Sequence, residues 1–194
     1  ALASIDRALA AEPGQELADR LHVARGGVLS ALGRGAEAAD SFARSGSEYA
    51  LYAAAMEALN ARKFADAQRL AANLVERYPA SEYGREAQLV LGEARFAQKE
   101  FREAEAAFAR AVDGDAAPEL AARALARQAW CRWELGDPKG AAVLFAGVEK
   151  RAGGSAAPEL AEARYMLGRC FDAAGDERAA RIAWGRYLQE HPEG

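Results

Sequence analysis

Apolar residues recur at helical spacing in one segment after another, and the six Pro and most of the Gly fall between these segments rather than inside them. That distribution predicts helices separated by tight turns. No stretch alternates β-branched and polar residues as a half-buried strand would, and no Asn-Gly or Asp-Gly pair stands between two such runs. Asp113-Gly114-Asp115 and Leu135-Gly136-Asp137 fall instead where helices should end. The punctuation predicts an all-α chain with helices near 2–11, 16–31, 36–44, 48–60, 64–77, 84–98, 101–112, 119–135, 139–151, 159–174 and 177–190.

The helices repeat. Ala116-Ala117-Pro118-Glu119-Leu120-Ala121 recurs letter for letter 40 residues later as Ala156-Ala157-Pro158-Glu159-Leu160-Ala161, each time before a long helix. Leu91-Gly92, Ala129 and Leu167-Gly168 occupy one equivalent site in the helices that follow. After the next turn come Phe101-x-x-Ala104-x-x-x-Phe108, Ala141-x-x-x-Phe145 and Ala180-x-x-x-Trp184, with Ala38-x-x-x-Phe42 and Phe64-x-x-Ala67 extending the pattern upstream. A small residue at the first site lets two antiparallel helices approach closely, and the small–aromatic pair four apart plugs the neighbouring hairpin. Ala104 and Ala141 are therefore expected to be fully buried.

These motifs resemble the tetratricopeptide repeat (TPR), with the small residue at its eighth position. The resemblance implies a right-handed α-solenoid of about five and a half repeats over nearly the whole chain, 1–194, as a single array. It places repeat starts at Asp19, Glu48, Arg85, Ala122 and Ala161, within segments of about 16–46, 47–81, 82–116, 117–155 and 156–194. The family's Pro after the second helix falls on Pro79 and Pro192. Departures are Arg95 and Arg132 at the bulky eleventh position, a first repeat of only 29 residues, and later repeats of 37 to 39, against about 34 in the family. Ala1, Ile5, Ala8, Leu9 and Pro13 match the second helix of a further repeat, so residues 1–13 are expected to be the end of a truncated repeat whose first helix lies upstream. A simple capping helix is the alternative.

The longer connectors, with Tyr78-Pro79-x-Ser81-x-Tyr83 and Ala-Ala-Pro-Glu-Leu, resemble a bacterial envelope subgroup that includes the Tol-Pal-associated periplasmic protein and outer-membrane assembly lipoproteins. That likeness places the chain in the bacterial periplasm or envelope ahead of the cytoplasm. Pro-Glu at a helix start also has a general cause, since Pro suits the first turn and Glu opposes the N-terminal dipole. The sustained heptads of the Tol-Pal-associated protein's coiled coil have no counterpart here.

Composition narrows the function. A net charge of -4 with interspersed rather than blocked Lys and Arg supplies no basic field for nucleic acid, and the longest apolar stretches are too short to serve as a transmembrane segment. Two Cys and two His lack the paired spacing of a zinc site, so the sequence points to no metal and no cofactor. Gly33-Arg34-Gly35 and Gly153-Gly154-Ser155 lack the Lys-Ser/Thr of a phosphate loop and read as turns. His22 has no nucleophile motif beside it and reads as a packing or surface residue; His191 suits a helix C-terminus. The carboxylates are dispersed, so no catalytic residue is assigned and the chain is read as a non-enzyme. Cys131 and Cys170 share the tenth repeat position, too far apart in stacked hairpins for a disulfide, and are read as buried small hydrophobes.

In this family the first helices of successive hairpins line a concave surface through positions two, five, nine and twelve. The resemblance carries that role onto Tyr49, Tyr52, Met56 and Leu59; Glu86, Leu89, Glu93 and Phe96; Arg123, Ala126, Trp130 and Trp133; and Glu162, Tyr165, Arg169 and Asp172. Arg20, Val23, Gly27 and Ser30 begin the series. Two zones emerge: an apolar stripe with Tyr52 and Met56, and an aromatic cleft of Phe96, Trp130, Trp133 and Tyr165 flanked by Glu93, Arg123 and Arg169. Rigid aromatics with an Arg rim have the composition of binding hot spots, while the same helical spacing also fits aromatics that pack between hairpins. The reading is a scaffold that binds a peptide or helical segment of a protein partner; the alternative is a structural spacer, or a non-catalytic region of a larger multidomain protein. The Lys and Asn of the carboxylate clamp that holds chaperone tails are missing at positions five and nine of every repeat, which disfavours that ligand.

Overall fold

The computed structural model describes residues 1–152 and 159–190, which form eleven helices with no strand among the described residues. Residues Ala1–Gln98 make one compact unit and Lys99–Gly194 a second. The first unit contains α1 (Leu2–Ala10), α2 (Gln15–Ala31), α3 (Gly35–Ser45), α4 (Glu48–Asn60), α5 (Phe64–Arg77) and α6 (Gly84–Ala97). The second contains α7 (Phe101–Val112), α8 (Pro118–Glu134), α9 (Pro138–Arg151), α10 (Glu159–Ala173) and α11 (Glu177–Glu190). The expected turn at Gly153-Gly154-Ser155, the motif residues Ala156 to Pro158, His191 and Pro192 lie outside the described residues.

Within each unit every helix packs on the next in the chain, and α4 also meets α6 as α8 meets α10. Neighbouring antiparallel helices with next-but-one first helices in contact are the arrangement of stacked helical hairpins. The turns inside the hairpins share one geometry. Gly33, Gly136 and Gly175 have φ of 71°, 76° and 79°, and Arg62 adopts the same left-handed backbone at 59°. The residue after the turn donates its amide to a carbonyl five residues back: Arg34 to Leu29, Lys63 to Ala58, Asp137 to Arg132 and Asp176 to Phe171, each at 2.9 Å. That bond satisfies a helix-terminal carbonyl in the manner of a Schellman motif. In the second unit the residue following the glycine also starts the next helix. Asp137 accepts from Gly140 N–H and Asp176 from Ala179 N–H, both at 2.9 Å, so a three-residue turn both stops one helix and caps another.

Alanine dominates the cores. In the first unit Ala38, Ala50, Ala54, Ala55, Ala67 and Ala71 surround Leu29, Phe42, Leu51, Leu70 and Leu74. In the second, Ala122, Ala126, Ala129 and Ala141 surround Phe145, Val148, Met166 and Cys170. Ala104 and Ala141 are fully buried, as expected. The eighth-position rule has a direct steric cause. A Cβ on Gly26 would stand 2.7 Å from the Phe42 ring, and one on Gly168 would overlap the Trp184 indole. Both glycines are therefore required by close approach to an aromatic on the second helix of the same hairpin. Arg132, a departure from the bulky eleventh position, has its own role: its Nε–H donates to Glu105 on α7 at 2.6 Å, and its Nη1 reaches Asp137 at 3.3 Å.

Candidate functional site

In the second unit, α8 and α10 run side by side and present the residues singled out by the repeat register. Trp130 and Trp133 are half-buried on α8 and pack against the unit's core. Trp130 lays its edge on Phe145, with ring centroids 6.1 Å apart and planes at 89°. Its indole N–H donates to Glu162 on α10 at 3.1 Å. The Arg169 guanidinium, also from α10, lies 5.1 Å from the Trp133 ring centroid, within the range of a cation–π contact. Both tryptophans thus have one side in the packing and a polar cap from the neighbouring first helix. Tyr165 and Arg169 are exposed, as is Arg123 on α8. The ring partner of Tyr165 is Tyr187 of α11, at 5.7 Å and 59°. Tyr187 lies on a second helix, outside the positions assigned to the concave face, which is why the sequence reading missed it.

In the first unit, Tyr52 and Met56 are half-buried on α4, and Glu93 and Phe96 are half-buried on α6. Tyr52 stacks on Tyr83, with centroids 5.3 Å apart and planes at 16°. Tyr83 belongs to the connector between α5 and α6 and also meets Tyr49 at 6.0 Å. The apolar stripe on α4 is therefore partly roofed by a connector residue, a role the motif Tyr78-Pro79-x-Ser81-x-Tyr83 signalled only by its run of aromatics. Two expectations need correcting. Leu89 and Ala126, assigned to the concave surface, are 4% and 1% exposed and line no surface. They sit on α6 and α8, whose neighbours α4 and α10 pack close enough to cover position five.

Other features carry less chemistry. A cleft of about 540 Å³ at α1, α2 and α3 is lined by Asp6, His22, Arg25, Glu37, Asp40 and Arg44, among others. Arg25 is paired with Asp6 at 2.8 Å and Arg34 with Glu37 at 2.6 Å. Cys131 and Cys170 are buried free thiols, and burial pushes the Cys170 thiol up to about 11 despite the nearby Arg169 charge. Among the described residues no group of three or more His, Cys, Asp or Glu side chains could hold a metal ion, and no helix is long and apolar enough to cross a membrane.

Residues 43–193 match the tetratricopeptide repeat-like domain. The chain belongs to this family. Several solved structures share the TPR fold at low sequence identity. MamA superposes with a TM-score of 0.78 at 16% identity, covering 91% of this chain and 93% of its own. YrrB, described as a TPR protein with an unusual peptide-binding site, gives 0.75 at 16% identity, covering 100% and 95%. PilF of Pseudomonas aeruginosa gives 0.67 at 14% identity, covering 91% and 78%. No curated protein matches the chain closely enough to count as a relative. TPR domains in general mediate protein–protein interaction and are not catalysts, and the helical hairpins described above are of that type.

Proposed function

We propose that the chain is a non-enzymatic scaffold that binds a peptide or helical segment of a protein partner on its first-helix faces, with Trp130, Trp133, Tyr165, Arg123 and Arg169 as the anchors in the second unit. Tyr52, Met56, Glu93 and Phe96 are the corresponding candidates in the first unit. The supporting observation is the pair of half-buried tryptophans capped by Glu162 and Arg169. Each ring is held in place by packing on one side, so a ligand that covers the other side pays little to order it. The exposed guanidinium of Arg169, held over Trp133, presents N–H donors for a carboxylate or carbonyl of the ligand. The peptide-binding site named for YrrB is consistent with the same use of the fold. The envelope-type connectors extend the proposal to a partner in the bacterial periplasm or envelope.

The test uses one variant and two readings. Trp133→Ala should weaken partner capture by about 2 kcal/mol or more, the scale of a hot spot, in a chain that remains folded at the assay temperature despite the stability lost with a half-buried ring that packs on the core. A spacer with no ligand predicts the loss of stability alone: no partner captured by the parent chain or the variant, and intrinsic tryptophan fluorescence that no candidate peptide alters.

A further inference from the structure

Each unit has a groove whose floor is one helix and whose walls are the helices before and after it in the chain. In the second unit α9 and α11 flank α10, and only about 40 Å³ of the groove is open. In the first unit α1 and α3 flank α2, and about 540 Å³ is open. The two grooves share the register set by the close pairs Gly26–Phe42 and Gly168–Trp184. His22 stands where Arg164 does, four residues before the glycine, and Arg44 where Arg186 does, two residues after the ring. On the preceding helix Leu9 follows Ile5 by four residues, as Glu149 follows Phe145. His22, Arg44 and Leu9 line the first groove, and Arg164, Arg186 and Glu149 the second.

The grooves differ by one carboxylate. In the second unit Glu149 of α9 draws the walls and floor together: its Oε1 accepts from Arg164 of α10 at 2.7 Å and from Arg186 of α11 at 3.4 Å. The first unit keeps a nitrogen donor at both of those places and has Leu9 in place of the acid. Among the described residues neither donor finds a substitute. Arg44 has no ion pair or side-chain hydrogen bond, and the enclosed Nδ1 of His22 has no hydrogen-bond partner. Two nearby acids are engaged elsewhere, Asp6 with Arg25 at 2.8 Å and Glu37 with Arg34 at 2.6 Å. Burial, and after it the charges of Arg44 and Arg25, hold the His22 pKa below its usual value against the opposing charge of Asp19. That is the direction expected where cations face an imidazole with no carboxylate between them.

We propose that the cleft between α1 and α3 binds the side-chain carboxylate of an acidic peptide residue, held by His22 and Arg44 in the place that Glu149 fills in the second unit. A carboxylate there accepts charge-assisted hydrogen bonds from the guanidinium and an N–H from the imidazole. Glu12 and Asp40 also line the cleft, and neither is in an ion pair among the described residues. They favour a basic residue beside the acidic one and count against a dianion such as phosphate. His22 is at position four of its repeat, and Leu9 and Arg44 lie on α1 and α3, so the site is separate from the first-helix positions two, five, nine and twelve.

The full chain would be titrated with acetyl-Glu-Lys-amide and, in parallel, with acetyl-Gln-Lys-amide, and followed through the imidazole NMR resonances of His22. The chain has two histidines, and the signal lost in His22→Gln identifies the one in the cleft. The glutamate peptide should move that signal saturably, bind about fivefold or more tighter than the glutamine peptide, and raise the His22 pKa. Arg44→Gln, a change at an exposed side chain, should remove the preference. Leu9→Glu should supply the carboxylate from within the chain, so that the His22 pKa rises without ligand and the glutamate peptide no longer binds, whereas Leu9→Gln keeps the response. Equal affinity for the two peptides, no response to either, or a preference that survives Arg44→Gln would overturn the proposal. So would inorganic phosphate binding as tightly as the glutamate peptide, or a folded Leu9→Glu chain that still binds it.

Discussion

The two units carry the same hairpin plan but finish their aromatic faces in opposite ways. In the second unit the rings are tryptophans on a first helix, and the neighbouring first helix supplies both a carboxylate, Glu162, and a cation, Arg169, to cap them. In the first unit the rings are tyrosines drawn from a helix and a connector, and they pack on one another, Tyr83 meeting both Tyr49 and Tyr52. The hairpins below are set by small residues and left-handed turns that recur in both units. The difference teaches that in a repeat protein the positions fixing helix approach and those facing a ligand vary independently, so shared architecture leaves ligand chemistry free to diverge.

The largest effect should come from the rule the units share. Gly168→Ala drives a methyl into the Trp184 ring, and Gly26→Ala places one 2.7 Å from Phe42. Forcing atoms into a packed interior costs about 1–3 kcal/mol, and Gly168→Ala should lie at the upper end because the overlap with the bulkier, two-ring indole is deeper. Ala141→Leu and Ala104→Leu, both at fully buried sites, should fall in the same range. Denaturant melts of the four variants test this. An unchanged midpoint for Gly168→Ala would mean that the hairpin does not close on Trp184.

Much of the fold was legible because its determinants are local. The helix stops at Gly33, Gly136 and Gly175 and the Asp caps that follow two of them are written in adjacent residues, and the small–aromatic pairs Gly26–Phe42 and Gly168–Trp184 recur at a fixed offset. The turn at Arg62 was legible only through the repeat, since arginine does not favour a left-handed backbone. The site was legible in outline only. Register placed Trp130, Trp133 and Arg169 on first helices, but whether a groove position is open depends on how closely the next first helix packs. Leu89 and Ala126 are covered for that reason. The pairings of Tyr83 with Tyr49 and Tyr52, and of Tyr187 with Tyr165, join elements whose distance no spacing rule supplies.

An intermediate effect should sharpen the comparison of turns. The two hairpin turns wholly inside the second unit use glycine, at Gly136 and Gly175, whereas the first unit uses Gly33 in one and Arg62 in another. A non-glycine residue in left-handed backbone costs about 1–2 kcal/mol, part of which glycine returns through the entropy of the unfolded chain. Arg62→Gly should therefore stabilise by about 0.5–1 kcal/mol, less whatever its contact with Phe64 contributes. Gly136→Arg should destabilise by a similar or larger amount. Opposite signs for the two in parallel thermal melts are the expected outcome; two losses would mean that the Arg62–Phe64 contact outweighs the backbone strain.

The smallest effect separates the units by pH. Thiol reagents should leave Cys170 unmodified in the folded chain near neutral pH, since burial holds it far from ionisation. His22 of the first unit, by contrast, is shifted toward its neutral form. Burial lowers its pKa below 6.5, the charges of Arg44 and Arg25 act in the same direction, and Asp19 opposes them. Its Nδ1 is enclosed with no hydrogen-bond partner. A histidine whose folded pKa is depressed binds its proton more readily when unfolded, so its contribution is fully present above 6.5 and is lost as pH falls through 6.5 toward the folded value. Lowering the pH from about 7.5 to about 5.5 should reduce amide-exchange protection in α2 and α3 slightly, and His22→Gln should remove the dependence. The same pH dependence in the glutamine variant would assign the effect to other groups and leave the cleft at α1, α2 and α3 without a titrating residue.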